Sequence, residues 1–132
     1  MKAICTYCSR PKRTDSRELP AVRRYMSPRI DQLHEAAQTE GAVFLILSGK
    51  YGLLTAEQPI AWYDHLLAET EVESMVPAFA GDLTRLGITN LDYYSADPAR
   101  IAQLQPYLKV VQQACQSAGV NFQMIILPGN PD

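Results

Sequence analysis

Two short stretches of this 132-residue chain carry side chains of the kind that do chemistry. "CSRPK", residues 8–12, sets a thiol, a hydroxyl and a lysine close together as Cys8, Ser9 and Lys12. "SGKYG", residues 48–52, sets Ser48, Lys50 and Tyr51 around two glycines, Gly49 and Gly52. Glycine exposes backbone N–H groups, and backbone nests beside Lys and Ser commonly hold an anion such as a phosphate or carboxylate. Lys12 and Lys50 would neutralise that ligand, and Ser9, Ser48 and Tyr51 would donate hydrogen bonds to it. Cys8 is a candidate nucleophile. The plainer alternative makes Gly49 and Gly52 two positive-φ turn positions, with Lys50 solvated and Tyr51 lying over the core.

A third cluster is "WYDH", residues 62–65. Neighbouring residues cannot all face one way, so the cluster divides its roles. Trp62 and Tyr63 can cover a crevice or stack on a base, because every nucleobase offers a π-face. Asp64 or His65 can act as acid or base, and Asp64 can serve as nucleophile. A lone histidine beside Leu66 and Leu67 is more often a surface or capping residue, and His34, inside a helical stretch, reads as structural.

The motifs that would name a cofactor are absent. There is no G-x-x-x-x-G-K-[ST] and no G-x-G-x-x-G, so no NTP or dinucleotide fingerprint is present and the cofactor is left unknown. Cys5 and Cys8 form C-x-x-C without a second pair, whereas zinc takes about four ligands, and no metal site is expected. Polar residues and Pro11 follow Cys8, where a thioredoxin-like redox pair would open a long helix. Three cysteines, an odd number, suit a reducing compartment better than a disulfide framework.

The elements that must position these residues follow from pattern. Lys2 to Tyr7 reads as a first strand, and Leu19 to Tyr25 as a helical turn. Ser27 and Pro28 are an N-cap and first helical position, Ile30, Leu33 and Ala37 share a face, and Gly41 stops that helix. Ala42 to Leu47 is a continuous apolar run, as in a strand covered on both sides. Residues 49 to 68 read as one long connection. A capping-box sequence, Thr70 to Glu73, opens a helix with Val72, Val76, Phe79, Leu83 and Leu86 on one stripe, which Pro77 should kink or split. "ITNLDYYSA" supplies a strand, Asp97 and Pro98 cap a last helix along Ile101, Leu104, Leu108, Val111 and Cys115, and "NFQMIILPG" is the final strand. The order β-α-β-α-β-α-β predicts one α/β domain over residues 1–132, a three-layer Rossmann-like sandwich with about four mostly parallel strands.

Composition sets outer bounds. Hydrophobic residues are 47% and charged residues 20%, an ordinary globular balance. The net charge of -2 gives no global pull towards nucleic acid, yet seven of the twelve basic residues lie between Arg10 and Arg29. That segment is either a solvated basic loop or an anion-facing one. No apolar run approaches the ~18 residues that span a bilayer, so no membrane partner is expected. The N-terminus has no signal-peptide h-region, and a cytoplasmic location is the default.

The stretch "LSGKYGLLTAEQPIAWYD" resembles a segment of the YaaA-type peroxide-stress proteins, where a strand ends in L-S-G-x-Y-G. It is closer to a family of small uncharacterised bacterial and phage proteins marked by S-[AG]-K-Y-G-L and a Tyr-Asp pair, with an N-terminal C-S-x-x-K and an L-P-A…Y-x-S segment. Here those positions are Cys8, Ser9 and Lys12, Leu19-Pro20-Ala21, Tyr25 and Ser27. A related C-S-x-x-K pattern occurs in the core domain of archaeosine synthase, which modifies a deazaguanine base in tRNA. The resemblance covers residues 5 to about 67. It departs where the K-P-Y of the archaeosine enzyme is missing after Lys12, and where Asp64-His65-Leu66 replaces the R-L-E of the YaaA type. It implies an enzyme acting on a nucleotide, nucleobase or nucleic-acid base, possible nucleic-acid modification included, with a non-catalytic nucleotide or nucleic-acid binding module as the alternative. Ligands of open parallel sheets bind outside the strands' carboxyl ends, so Cys8, Ser9, Lys12, Ser48, Lys50 and Tyr51 are expected to converge on one crevice there, and the enzyme and ligand readings in this form both require that convergence.

Overall fold

The computed structural model describes residues 1–132. Its strands are β1 (Lys2–Tyr7), β2 (Leu19–Pro20), β3 (Val43–Ser48), β4 (Gly52–Thr55), β5 (Pro59–Ile60), β6 (Asn90–Ser95) and β7 (Asn121–Ile126). Its helices are α1 (Ala21–Arg24), α2 (Pro28–Glu40), α3 (Val72–Arg85) and α4 (Gln105–Ala118). Five strands form a sheet in the order β4-β3-β1-β6-β7, parallel throughout except for β4. β2 and β5 pair separately as a short antiparallel ladder.

The chain is thus α/β with a mostly parallel sheet, but the strand count exceeds the expected four. β2, at the start of the stretch expected to be a helical turn, and β5, within the expected connection, were both missed. The main sheet's missed strand is β4, a hairpin partner of β3 with Ser48 opposite Gly52. Its three-residue turn, Gly49-Lys50-Tyr51, closes on Gly52 at φ 76, the left-handed position such hairpins require. Two leucines, Leu53 and Leu54, are too short a run to announce a strand; pairing with β3 makes them one.

Both faces of the central strands are covered. Ala3 to Tyr7 and Phe44 to Ser48 are all buried. On one face α2 supplies Arg29 to the Thr6 hydroxyl and His34 against Phe44, ring centroids 5.3 Å apart. On the other, α4 sets Tyr107 against Tyr7, centroids 6.0 Å apart, and α3 packs on α4. Thirty-five buried residues make one continuous core, the main source of stability in such a fold.

Three local expectations change. Helix α3 runs unbroken through Pro77, because that residue lies on the exposed face, where water can serve the carbonyl that its missing N–H leaves free. No side chain caps α3 itself; Glu71 Oε1 accepts from Ala68 N–H at 2.9 Å and closes the tight turn just before it, without Thr70. Asp97 does not cap α4: its Oδ1 accepts from Ala99 N–H at 2.9 Å and its carbonyl from Ile101 N–H, closing a tight turn, and α4 starts at Gln105 with Pro106 in its first turn. By contrast, Ser27 caps α2, accepting from Ile30 N–H at 3.2 Å, and Gly41 ends it.

Candidate functional site

β1 ends where the two helical layers meet. Tyr7 stacks under the Arg29 guanidinium, 3.8 Å from its ring centroid, while facing Tyr107 on the other side. Arg29 donates to the Tyr7 carbonyl at 2.7 Å and the Cys8 carbonyl at 3.2 Å, and Cys8 N–H donates to the Leu47 carbonyl at 2.9 Å. The first turn of a helix disfavours a cation because of its dipole. Arg29 sits there because it locks the last carbonyls of β1, and a basic residue directly after Ser27-Pro28 was the sequence signal for it.

A cavity of about 100 Å³ opens at this strand end. The β1 loop contributes Cys8, Ser9, Arg10 and Lys12, the segment before α3 contributes Asp64 and His65, and α4 contributes Tyr107. Pro131 and Asp132 close one side. Cys8 Sγ lies 3.8 Å from the Tyr107 hydroxyl, which also accepts from Leu67 N–H at 3.0 Å. Burial, followed by the nearby Cys8, raises the Tyr107 phenol above its ordinary range, so it stays protonated at neutral pH. The buried Ser9 hydroxyl donates to the Pro11 carbonyl at 2.7 Å and shapes the loop from within. Lys12 Nζ reaches the Arg10 carbonyl at 3.3 Å and lies 4.7 Å from the centre of the Tyr63 ring.

His65 is held by a carboxylate in the turn that opens α3. Its Nε2 lies 2.8 Å from Glu71 Oε1. The Ala68 N–H, and then His65, hold the Glu71 carboxyl below its usual range. With Nε2 protonated and donating to Glu71, Nδ1 remains as an acceptor, an orientation that suits a proton carrier. The glutamate six residues on, in the turn that opens α3, was the available clue.

The expected single crevice does not form. Gly49, Lys50, Tyr51 and Gly52 line a neighbouring shallow concavity with His65, Glu71 and Ser74, and His65 alone of the sequence-singled residues faces both spaces. The hairpin is the reason: it sets Lys50 and Tyr51 along the second concavity, and Tyr63, with Lys12 over its ring and Tyr51 edge-on to it, stands between them and the β1 loop. Ser48 is fully buried, accepts from Lys50 N–H at 3.1 Å and Tyr51 N–H at 2.9 Å, and donates to the Tyr63 hydroxyl at 3.0 Å. Tyr63 in turn meets the Tyr25 hydroxyl at 2.6 Å. Burial raises both phenols, so this is a neutral, structural network beneath the surface. Trp62 is half exposed and lines neither space.

Gly49 has a different use from approach to a ligand. A Cβ there would meet the His65 carbonyl at 2.6 Å and the Tyr107 hydroxyl at 2.9 Å. The missing side chain lets the cavity wall close on the hairpin.

Two of the seven cations of the basic segment are committed to the protein's own carbonyls, and the other five remain at the surface. Arg24 is completely buried, and its guanidinium donates to the carbonyls of Arg13, Asp15, Arg17 and Ile60. Arg13 and Arg17 flank Asp15 at 3.6 and 3.9 Å. Arg29 is committed to β1, which leaves Arg10, Lys12 and Arg23 as its free cations. The C-x-x-C pair also separates, with Cys5 fully inside the core, Cys8 at the cavity and all three thiols free. No group of three or more His, Cys, Asp or Glu stands together as a metal site would need. No helix is long and apolar enough to cross a membrane.

No protein-family model matches the chain, and no curated protein or solved structure is significantly similar to it.

Proposed function

We propose that the chain is an enzyme acting on a nucleobase or nucleotide at the cavity beyond β1. The sheet is read as Rossmann-like, with its switch in connection direction at β1, where open α/β sheets bind their ligands. With Ser48, Lys50 and Tyr51 outside this cavity, the two-loop site expected from the sequence is given up, and the reading rests on the cavity wall alone: His65, oriented by Glu71, borders the same space as Cys8, Asp64 and Lys12. In this reading Lys12 and Arg10 hold the ligand's anionic group, Tyr107 donates a hydrogen bond, and Asp64 or His65 moves the proton. Cys8 is the candidate nucleophile. At about 100 Å³ the cavity is smaller than the ~300–1,000 Å³ of sites that enclose drug-sized ligands, which favours one ring inside and the charged remainder at the mouth. The motif resemblance through Cys8, Ser9 and Lys12 supports the same class of substrate.

A non-catalytic nucleotide or nucleic-acid binding module is the second reading. It is favoured by a continuous run of cations and rings: Lys12 over Tyr63, Tyr63 edge-on to Tyr51 with centroids 5.2 Å apart, and Lys50 Nζ 5.3 Å from the Tyr51 ring centre. A thermal-shift screen of nucleotides and nucleobases tests the shared premise, because a ligand at 100 times its Kd raises stability by about 2.7 kcal/mol. Turnover of the ligand that shifts the melt then separates the enzyme from the module. A screen in which none shifts it opposes both.

A further inference from the structure

The geometry points to a latch: the segment after β7 folds across the sheet's carboxyl edge and covers one side of the cavity at β1, narrowing the way to Cys8 until it is displaced. β7 stands two places from β1 in the sheet. Leu127 N–H makes the last bond to the sheet side, donating to the Ser95 carbonyl at 2.8 Å. The chain then turns back over the strand ends. The Tyr7 hydroxyl donates to the Pro131 carbonyl at 2.6 Å, and the Ser27 hydroxyl donates to the Asp132 backbone oxygen at 2.6 Å. Pro131 and Asp132 thereby become part of the wall of the cavity that holds Cys8.

Two features make this arrangement detachable. Pro128, Gly129 and Asn130 are exposed and bury no apolar anchor. The turn keeps its own shape, with Asp132 N–H donating to Asn130 Oδ1 at 3.1 Å and Gly129 at φ 98. Its hydrogen bonds to the sheet edge are two hydroxyl bonds, each of modest net strength, beside the attraction of the Asp132 carboxylate for Arg29 and the half-buried Pro131. What it occupies is chemically specific. Its oxygens take the Tyr7 and Ser27 hydroxyl protons, and Asp132 also borders the groove beside Arg29, so an incoming anionic group competes for donors the latch already satisfies. A site whose open form is a minor fraction binds more weakly by that fraction.

What the latch excludes rests on the nucleotide or nucleobase reading above, but its test needs no ligand. The rate at which iodoacetamide alkylates Cys8 is measured in the full chain and after deletion of residues 128–132, with the buried Cys5 and Cys115 as internal controls. The latch predicts about tenfold faster labelling of Cys8 in the shortened chain, with the two control thiols still protected. An unchanged or slower Cys8 rate overturns it. If deletion exposes all three thiols together, the fold has loosened, and Tyr7→Phe in the full chain, which removes the hydroxyl bond to Pro131, decides: faster labelling of Cys8 alone supports the latch, and an unchanged rate overturns it. Nucleotide binding, measured separately, can fail while the labelling result stands.

Discussion

Ser48 and Tyr63 share a buried hydrogen bond of 3.0 Å that ties the β3–β4 turn to the segment bearing Asp64 and His65. The same serine oxygen accepts the N–H groups of Lys50 and Tyr51. Ser48→Ala removes an acceptor for two backbone donors and is expected to cost about 1–3 kcal/mol. Urea unfolding measures it. No loss of stability would show that water replaces the hydroxyl and that the turn is not held from within.

Gly49→Ala tests the contact between hairpin and cavity wall. Its new Cβ falls within 3.0 Å of backbone at His65 and Leu67, which can yield only by moving the segment. The expected cost is about 1–3 kcal/mol, with impaired ligand binding beyond what stability explains. Gly52→Ala serves as the control, because its strain is conformational, at φ 76, with open space around the Cβ. It should destabilise without disturbing the cavity.

Arg24→Met leaves four carbonyl oxygens without their donor. Unsatisfied buried polar groups cost about 1–3 kcal/mol each, so a loss of roughly 3 kcal/mol or more is expected in denaturant unfolding. Arg24→Lys should recover little, since one ammonium lacks the planar fork that spans these oxygens. Full recovery by lysine would contradict the assignment.

These residues also mark what was legible in the sequence. α2 was readable because its signals are local: a serine cap, a proline at the first position, a three-to-four residue apolar spacing and a terminal glycine. β1 and β3 were readable because strands buried on both faces are mostly apolar without alternation, as in Ala3 to Cys5 and Val43 to Leu47. The β4 hairpin was not, since two leucines acquire meaning only beside β3. The placing of Lys50 and Tyr51 on a second concavity, with Tyr63 between them and Lys12, follows from that hairpin and was hidden with it. Arg24 looked like one member of a basic run because burial of an arginine depends on carbonyls from residues as distant as Ile60.

Glu71 gives a pH signature. Its carboxyl titrates below the ordinary value of 4.5 in the folded chain, chiefly through the Ala68 N–H and then His65. Its contribution to stability is therefore present at neutral pH and is lost as pH falls below that value through the folded pKa. Glu71→Gln should melt below the parent at neutral pH, with the gap closing on acidification. In the enzyme reading the same variant should lower turnover more than affinity, by about 10-fold to 100-fold, because it frees the His65 ring. A gap that stays constant down to about pH 3 would show that the carboxylate is not held as described.

The most direct test of the account compares two lysines that the sequence treats alike and the fold separates. The nucleotide or nucleobase that shifts the parent's melt is titrated calorimetrically into Lys12→Ala and Lys50→Ala. A cavity at β1 predicts about tenfold or greater loss of affinity for Lys12→Ala and a much smaller change for Lys50→Ala, whose side chain borders the adjacent concavity. Loss confined to Lys50→Ala, or parent-like binding by Lys12→Ala, would contradict the β1 cavity as the ligand site.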